Sequence, residues 1–161
     1  MDKEHNHSLI PQEKGELLAK NELVSRSVIK NLIREAISAM EHAYTPYSKF
    51  KVGSALLTTK QKIYTGCNIE NAGFTPTNCA ERTAFFKAVS EGEKEFAAIA
   101  IVGGKDGLIT DYCPPCGVCR QVIREFVDPR KFLVIIAKSE EEYLVYFLEE
   151  LLPMSFGPEY L

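Results

Sequence analysis

The chain has 161 residues, 45% of them hydrophobic, which is enough for one ordinary core and too little for two. Its 19 Lys and Arg against 22 Asp and Glu give a net charge of -3 and a pI near 5.7, so no basic excess is available to gather on a polyanion and nucleic-acid binding is disfavoured. No apolar run approaches the roughly 20 residues that span a bilayer, and residues 1–21 lack the apolar middle of a secretory signal, which predicts a cytoplasmic protein with no membrane partner.

Residues 1–21 (MDKEHNHSLIPQEKGELLAKN) are polar and aperiodic and read as a flexible extension, with His5 and His7 as solvated tail residues rather than ligands. From Val24 the apolar positions Val28, Ile29, Leu32, Ile33, Ala36, Ile37 and Met40 recur at helical spacing, predicting an amphipathic first helix that ends before Pro46. Two β-type runs, 52–58 and 63–68, flank the polar turn Thr59-Lys60-Gln61 and predict a hairpin. A second helix is expected over 79–91, with Thr77 or Asn78 as N-cap and Gly92 just past its end. The run 96–102, closed by Gly103-Gly104, reads as a buried strand. A third helix begins around Pro115 and runs through Val118, Val122, Ile123 and Phe126. Strands over 132–137 and 143–147 and a short helix over 148–152 complete the order α-β-β-α-β-α-β-β-α, an α/β arrangement in which helices cover a mixed sheet. The last two strands should be antiparallel, because residues 138–142 are too few for the crossover that parallel neighbours need.

The chemistry concentrates on cysteine. Three of the five cysteines fall within residues 113–119, and in a reducing compartment this density points to metal or redox chemistry rather than to disulfides. Cys79-Ala80-Glu81 opens the second helix and Pro115-Cys116-Gly117-Val118-Cys119 opens the third, so three thiols and a carboxylate stand at two helix starts. A helix N-terminus stabilises thiolate, the form that binds metal. Three ligands leave tetrahedral zinc one open position, the mark of a catalytic rather than a structural site. Zinc with three thiolates is net negative, and Arg82 or Arg120, with the two helix dipoles, can offset that charge. Glu81, two positions after a ligand, is placed to move a proton to and from the attacking water without binding the metal itself. The extra Cys113 makes a second, overlapping Cys-x-x-Cys pair with Cys116; Cys116 and Cys119 are preferred as ligands because Pro115 and Gly117 complete the zinc-deaminase pattern of Cys-x-Glu followed by Pro-Cys-x-x-Cys.

Further segments extend the match: Tyr44-Thr45-Pro46-Tyr47-Ser48-Lys49-Phe50, Gly66-Cys67-Asn68-Ile69-Glu70-Asn71-Ala72, Cys79-Ala80-Glu81-Arg82-Thr83-Ala84, Cys116-Gly117-Val118-Cys119-Arg120-Gln121 and Glu149-Glu150-Leu151-Leu152-Pro153. From about residue 25 to its C-terminus the chain resembles the small homotetrameric cytidine deaminases. That resemblance implies a three-layer α-β-α fold with a mixed five-stranded sheet, a deaminase domain over 22–161, and zinc held by Cys79, Cys116 and Cys119 with Glu81 as the catalytic proton shuttle. It implies that Asn68 and Glu70 bind the ribose hydroxyls, that Ala80 offers its backbone amide to the pyrimidine carbonyl, and that Phe50 lies against the base. Phe156 matches a phenylalanine contributed to a neighbouring subunit's site, so the implied assembly is a homotetramer with shared sites. The implied reaction is hydrolytic deamination of free cytidine and deoxycytidine, in pyrimidine salvage. Phe74 stands where many relatives carry tyrosine.

Rival readings account for less. A thioredoxin-like redox pair leaves Cys79 and Glu81 without a role, and a structural zinc site would recruit Cys113 as fourth ligand. A nucleic-acid editing deaminase conflicts with the acidic pI and with Glu70, whose charge near the sugar would repel a phosphate.

Overall fold

In the computed structural model, which describes residues 23–161, the first helix α1 (Arg26–Met40) is started by Ser25, whose hydroxyl accepts from Val28 N and so satisfies one of the free amides of the first turn. Residues 1–21, with His5 and His7, lie outside the described residues. The helix stops at Met40, well before Pro46, and buries Ile29, Leu32, Ile33, Ala36 and Met40. Each of its fully buried Ile and Leu side chains contributes roughly 1.5–3 kcal/mol of transfer free energy.

Five strands follow, β1 (Phe50–Thr58), β2 (Ile63–Cys67), β3 (Phe96–Lys105), β4 (Leu133–Ala137) and β5 (Tyr143–Phe147), in the sheet order β2-β1-β3-β4-β5. The pair β3 and β4 is parallel and every other pair is antiparallel, including β4 and β5 as the short connection requires. Helices α2 (Ala80–Ser90) and α3 (Gly117–Phe126) lie on the face opposite α1, and α4 (Leu148–Leu151) follows β5. Strand alternation divides the core between the two faces. Ala98, Ala100 and Val102 of β3 pack with α1, whereas Ile99 and Ile101 pack with Phe85 of α2 and Ile123 of α3. The result is the expected three-layer α/β architecture, and no helix among the described residues is long and apolar enough to cross a membrane.

Several boundaries differ from expectation for identifiable reasons. Strand β3 runs through Gly103-Gly104 to Lys105, because these glycines keep their backbone groups in the ladder opposite Val52 and Lys51 at the start of β1. The N-cap of α2 is Cys79 rather than Thr77 or Asn78. Those two side chains bond elsewhere: Thr77 Oγ1 accepts from Asn71 N, and Asn78 Nδ2 donates to Thr83 Oγ1. Helix α3 begins at Gly117 with Cys116 as its cap, two residues later than a start at Pro115. Helix α2 comes close to β2 because residue 66 is glycine: a Cβ there would collide with the carbonyl of Ala80.

Candidate active site and metal centre

Cys79 and Cys116 are each the N-cap of a helix, and Cys119 lies in the first turn of α3. Their sulfurs therefore stand where free backbone amides and the positive ends of two helix dipoles converge. Cys116 Sγ accepts from Cys119 N at 3.5 Å. All three sulfurs lie within 4.8 Å of one another, and Cys79 and Cys116 are 3.9 Å apart. Tetrahedral zinc with Zn–S near 2.3 Å sets its sulfurs about 3.8 Å apart, so the donor set and its spacing fit that ion. Cys119 is buried, Cys79 half-buried and Cys116 exposed, which leaves one side of the cluster open to solvent. Cys113 is not in the cluster; its sulfur packs against Gly103 of β3, and burial, reinforced by the charges of Glu81 and Cys79, pushes its thiol up to about 12.

The local charges favour one thiolate before any metal arrives. A hydrogen bond from the Cys119 thiol, with help from Arg82 and Cys116, draws Cys79 down to about 5 against the opposing effect of burial. The same bond to Cys79, with burial, holds the proton on Cys119. Arg82 Nη2 donates to Cys79 Sγ at 3.7 Å and to Thr77 O at 2.9 Å. Arg120 points elsewhere, donating from Nε to Pro115 O and from Nη1 to Leu151 O. Of the two arginines, Arg82 is the one in contact with sulfur.

Glu81 occupies the first turn of α2 and is only 3% exposed. Burial raises its carboxyl to about 7, with the Cys79 charge adding to the rise and its own backbone amide, the Cys119 thiol and Arg82 opposing it. A carboxyl titrating near neutrality beside a metal-binding cluster can accept and return a proton under ordinary conditions. Ala80 is fully buried at the first helical position, where its backbone N–H has no intrahelical acceptor and is free for a ligand oxygen.

A second group gathers beside β1. Residues 68–70 are bridged on one side to Tyr44 and on the other to Asn78: Tyr44 N donates to Asn68 O, Glu70 N to Tyr44 O, and Ile69 and Asn78 exchange both backbone bonds. Asn78 immediately precedes Cys79, so these bridges tie Asn68 and Glu70 to the metal cluster through one residue. Asn68 Oδ1 accepts from Val52 N and Nδ2 donates to Phe50 O, both at 2.8 Å, which fixes the backbone that carries the exposed Phe50 ring. Glu70 accepts from Tyr47 N and Ser48 N, and Ser48 together with these amides holds its carboxyl below the usual range. Phe156 is 59% exposed; its ring stacks on Tyr160 and its carbonyl accepts from Gln121 Nε2 of α3.

The sequence reading missed the bridging role of Ile69 and Asn78 and the part played by Arg124, which is buried and holds the C-terminal segment through Ser155 and Glu159. Its one available signal was spacing, since Arg124 follows Arg120 by one helical turn.

Comparison with known proteins agrees with this geometry. Residues 26–136 match the family model described as the cytidine and deoxycytidylate deaminase zinc-binding region. A cytidine deaminase of Sporosarcina psychrophila is 48% identical over 133 residues, covering 81% of this chain and 93% of that relative. A probable cytidine deaminase of Dictyostelium discoideum is 41% identical over 137 residues, 84% of this chain and 88% of the relative. Among solved structures, the cytidine deaminase of Burkholderia pseudomallei matches with a TM-score of 0.71 at 44% identity, over 78% of this chain and 97% of that one. The enzyme from Mycobacterium tuberculosis matches with a TM-score of 0.67 at 35% identity, over 79% and 95% of the two chains.

Proposed function

The chain belongs to the cytidine deaminase family of zinc hydrolases, and from that premise we propose that it hydrolyses free cytidine and deoxycytidine to uridine and deoxyuridine with release of ammonia, as a cytoplasmic enzyme of pyrimidine salvage whose catalytic domain spans residues 22–161. The observation that carries the proposal is Glu81: a carboxyl buried in the same helical turn that follows Cys79, with its pKa raised to about 7.

Cys79, Cys116 and Cys119 would hold the zinc, and Arg82 offsets their charge at Cys79 Sγ. When bound, zinc supplies Lewis acidity that makes a water nucleophilic near neutral pH. The ionised Glu81 takes a proton from the attacking water and delivers it to ring N3, then takes the remaining proton of the oxygen now on C4 and gives it to the departing amino nitrogen. The C4–O bond forms and the C4–N bond breaks, so water and the cytosine nucleoside become the uracil nucleoside and ammonia without an oxidant or reductant. The free amide of Ala80 is suited to the 2-carbonyl of the pyrimidine and the Phe50 ring to its face. Asn68 keeps one donor hydrogen and one acceptor lone pair after its two backbone bonds, enough for a ribose hydroxyl, and Glu70 can accept from another. An ionised Glu70 at the sugar supports a free nucleoside over a nucleotide or a polynucleotide, because a phosphate there would meet like charge.

The ring of Phe156, outside the core and stacked on Tyr160, supports an assembly in which it closes a neighbour's site, a homotetramer by the family resemblance. The experiment is ammonia release from cytidine, deoxycytidine, CMP and short single strands, with zinc content measured in the same samples. Nucleosides are turned over and the phosphorylated substrates are not; equal rates on CMP would overturn the role given to Glu70.

A further inference from the structure

One stripe of α3 grips the end of the chain. Arg120 Nη1 donates to Leu151 O, Gln121 Nε2 to Phe156 O, and Arg124 Nε to Ser155 Oγ at 3.0 Å, while Arg124 Nη2 pairs with Glu159. Arg124 is only 6% exposed. Its guanidinium lies close against Gly157, where any Cβ would collide with Cζ and Nη2 of Arg124 and with the Glu159 carboxylate. The fit therefore depends on three residues of the tail at once: a hydroxyl at 155, no side chain at 157 and a carboxylate at 159.

A buried guanidinium paired with a half-exposed carboxylate is a poor device for stability alone, since the arginine gives up its hydration and well-packed apolar residues usually serve as well or better. Nor does the segment it holds add much to the core. Met154, Phe156, Tyr160 and Leu161 are all exposed, and the two rings stack face to face with centroids 5.3 Å apart and planes 14° from parallel. A buried charge is thus used to fix backbone whose large apolar groups face outward, on the same helix that carries Cys116 and Cys119. We propose that Arg124 is a positioning residue for Phe156: clamped by Ser155, Gly157 and Glu159, it sets the C-terminal segment in the shape that presents the Phe156 and Tyr160 ring pair to the nucleoside site of a second copy of the chain. The proposal rests on the reading that Phe156 completes a neighbour's site.

The test uses the zinc-loaded full chain and a double-mutant cycle between the clamp and the ring. Truncating buried Arg124 risks the fold, so the clamp is loosened from the tail side with Glu159→Gln, at a half-exposed partner, and with Gly157→Ala. Each should lower kcat/KM for cytidine about fivefold, mainly through KM, the scale of a partly exposed ion pair, with zinc content unchanged. Amide exchange over residues 153–161 should speed up in both. In a Phe156→Ala background neither change should lower kcat/KM further, because the clamp acts through that ring. Losses that add in full to that of Phe156→Ala, or faster exchange with wild-type kinetics, would reduce the clamp to a structural feature and overturn the proposal. A Phe156→Ala chain with wild-type kinetics would instead remove the shared-site reading, and the proposal with it.

Discussion

The cysteine cluster and the group formed by Phe50, Asn68 and Glu70 sit side by side but are built by different means. Cys79, Glu81, Arg82, Cys116 and Cys119 are placed by the first turns of two helices, and their partners are mostly within five residues along the chain or across one helix pair. Asn68, Glu70 and Phe50 are placed by bridges that join residues 44, 50, 52, 69 and 78, and all three side chains remain partly or largely open to solvent. The first region is held by two helix ends around the buried Glu81 and Cys119, so its chemistry is set by helix ends and by desolvation at those two groups. The second is long-range and wet, so its geometry depends on the sheet and its contributions are those of individual hydrogen bonds.

The largest effect should come from the sulfurs. Cys119→Ala or Cys116→Ala should abolish stoichiometric zinc and reduce turnover to background, whereas Cys113→Ala keeps both, as metal analysis of the purified chains will report. Equal zinc loss in Cys113→Ala would mean that the cluster is not the ligand set. Next in size, Glu81→Gln should retain zinc and fold while losing about 10²–10⁴ in kcat, because the amide is nearly isosteric and cannot carry the proton.

The same glutamate makes a pH prediction in the zinc-free protein. Its folded carboxyl titrates at about 7 against an ordinary 4.5, so between those values the folded state binds more protons than the unfolded one and stability falls as pH rises. Relative to Glu81→Gln, which lacks this group, the chelated wild type should be equally affected by pH below 4.5 and should lose about 3 kcal/mol by pH 8, read from urea unfolding at several pH values. Parallel curves for the two proteins would show that Glu81 is not desolvated.

The smallest effect sharpens the contrast from the other side. Asn68→Ala removes two hydrogen bonds to the start of β1 and should cost about 1–2 kcal/mol of stability as well as raising KM, while Glu70→Gln should raise KM with little change in melting temperature. Equal stability of the two variants would mean that Asn68 does not organise the Phe50 backbone.

Legibility from the amino-acid order follows the same division. Helical spacing from Val24, the β-type runs on either side of Thr59-Lys60-Gln61, the short link before β5 and the two cysteine motifs each depend on a few consecutive residues; the α/β class and the antiparallel last pair follow from them, and the cysteine cluster from the match of the two motifs to one deaminase pattern. Whether the strand would stop at Gly103-Gly104 did not, because a glycine pair ends a strand only when no neighbour completes its ladder, and here β1 does. The cap of α2 was misplaced for a related reason: Thr77 and Asn78 are good capping residues, but tertiary partners at Asn71 and Thr83 use their side chains and leave the position to Cys79. The choice of Arg82 over Arg120, the bridge from Ile69 to Asn78 and the seat of Arg124 against Gly157 were likewise decided only by the tertiary structure. Local pattern encodes what a helix or strand does with its own residues; which of two equally suitable side chains meets a given atom depends on segments distant in sequence, brought together by the packed sheet.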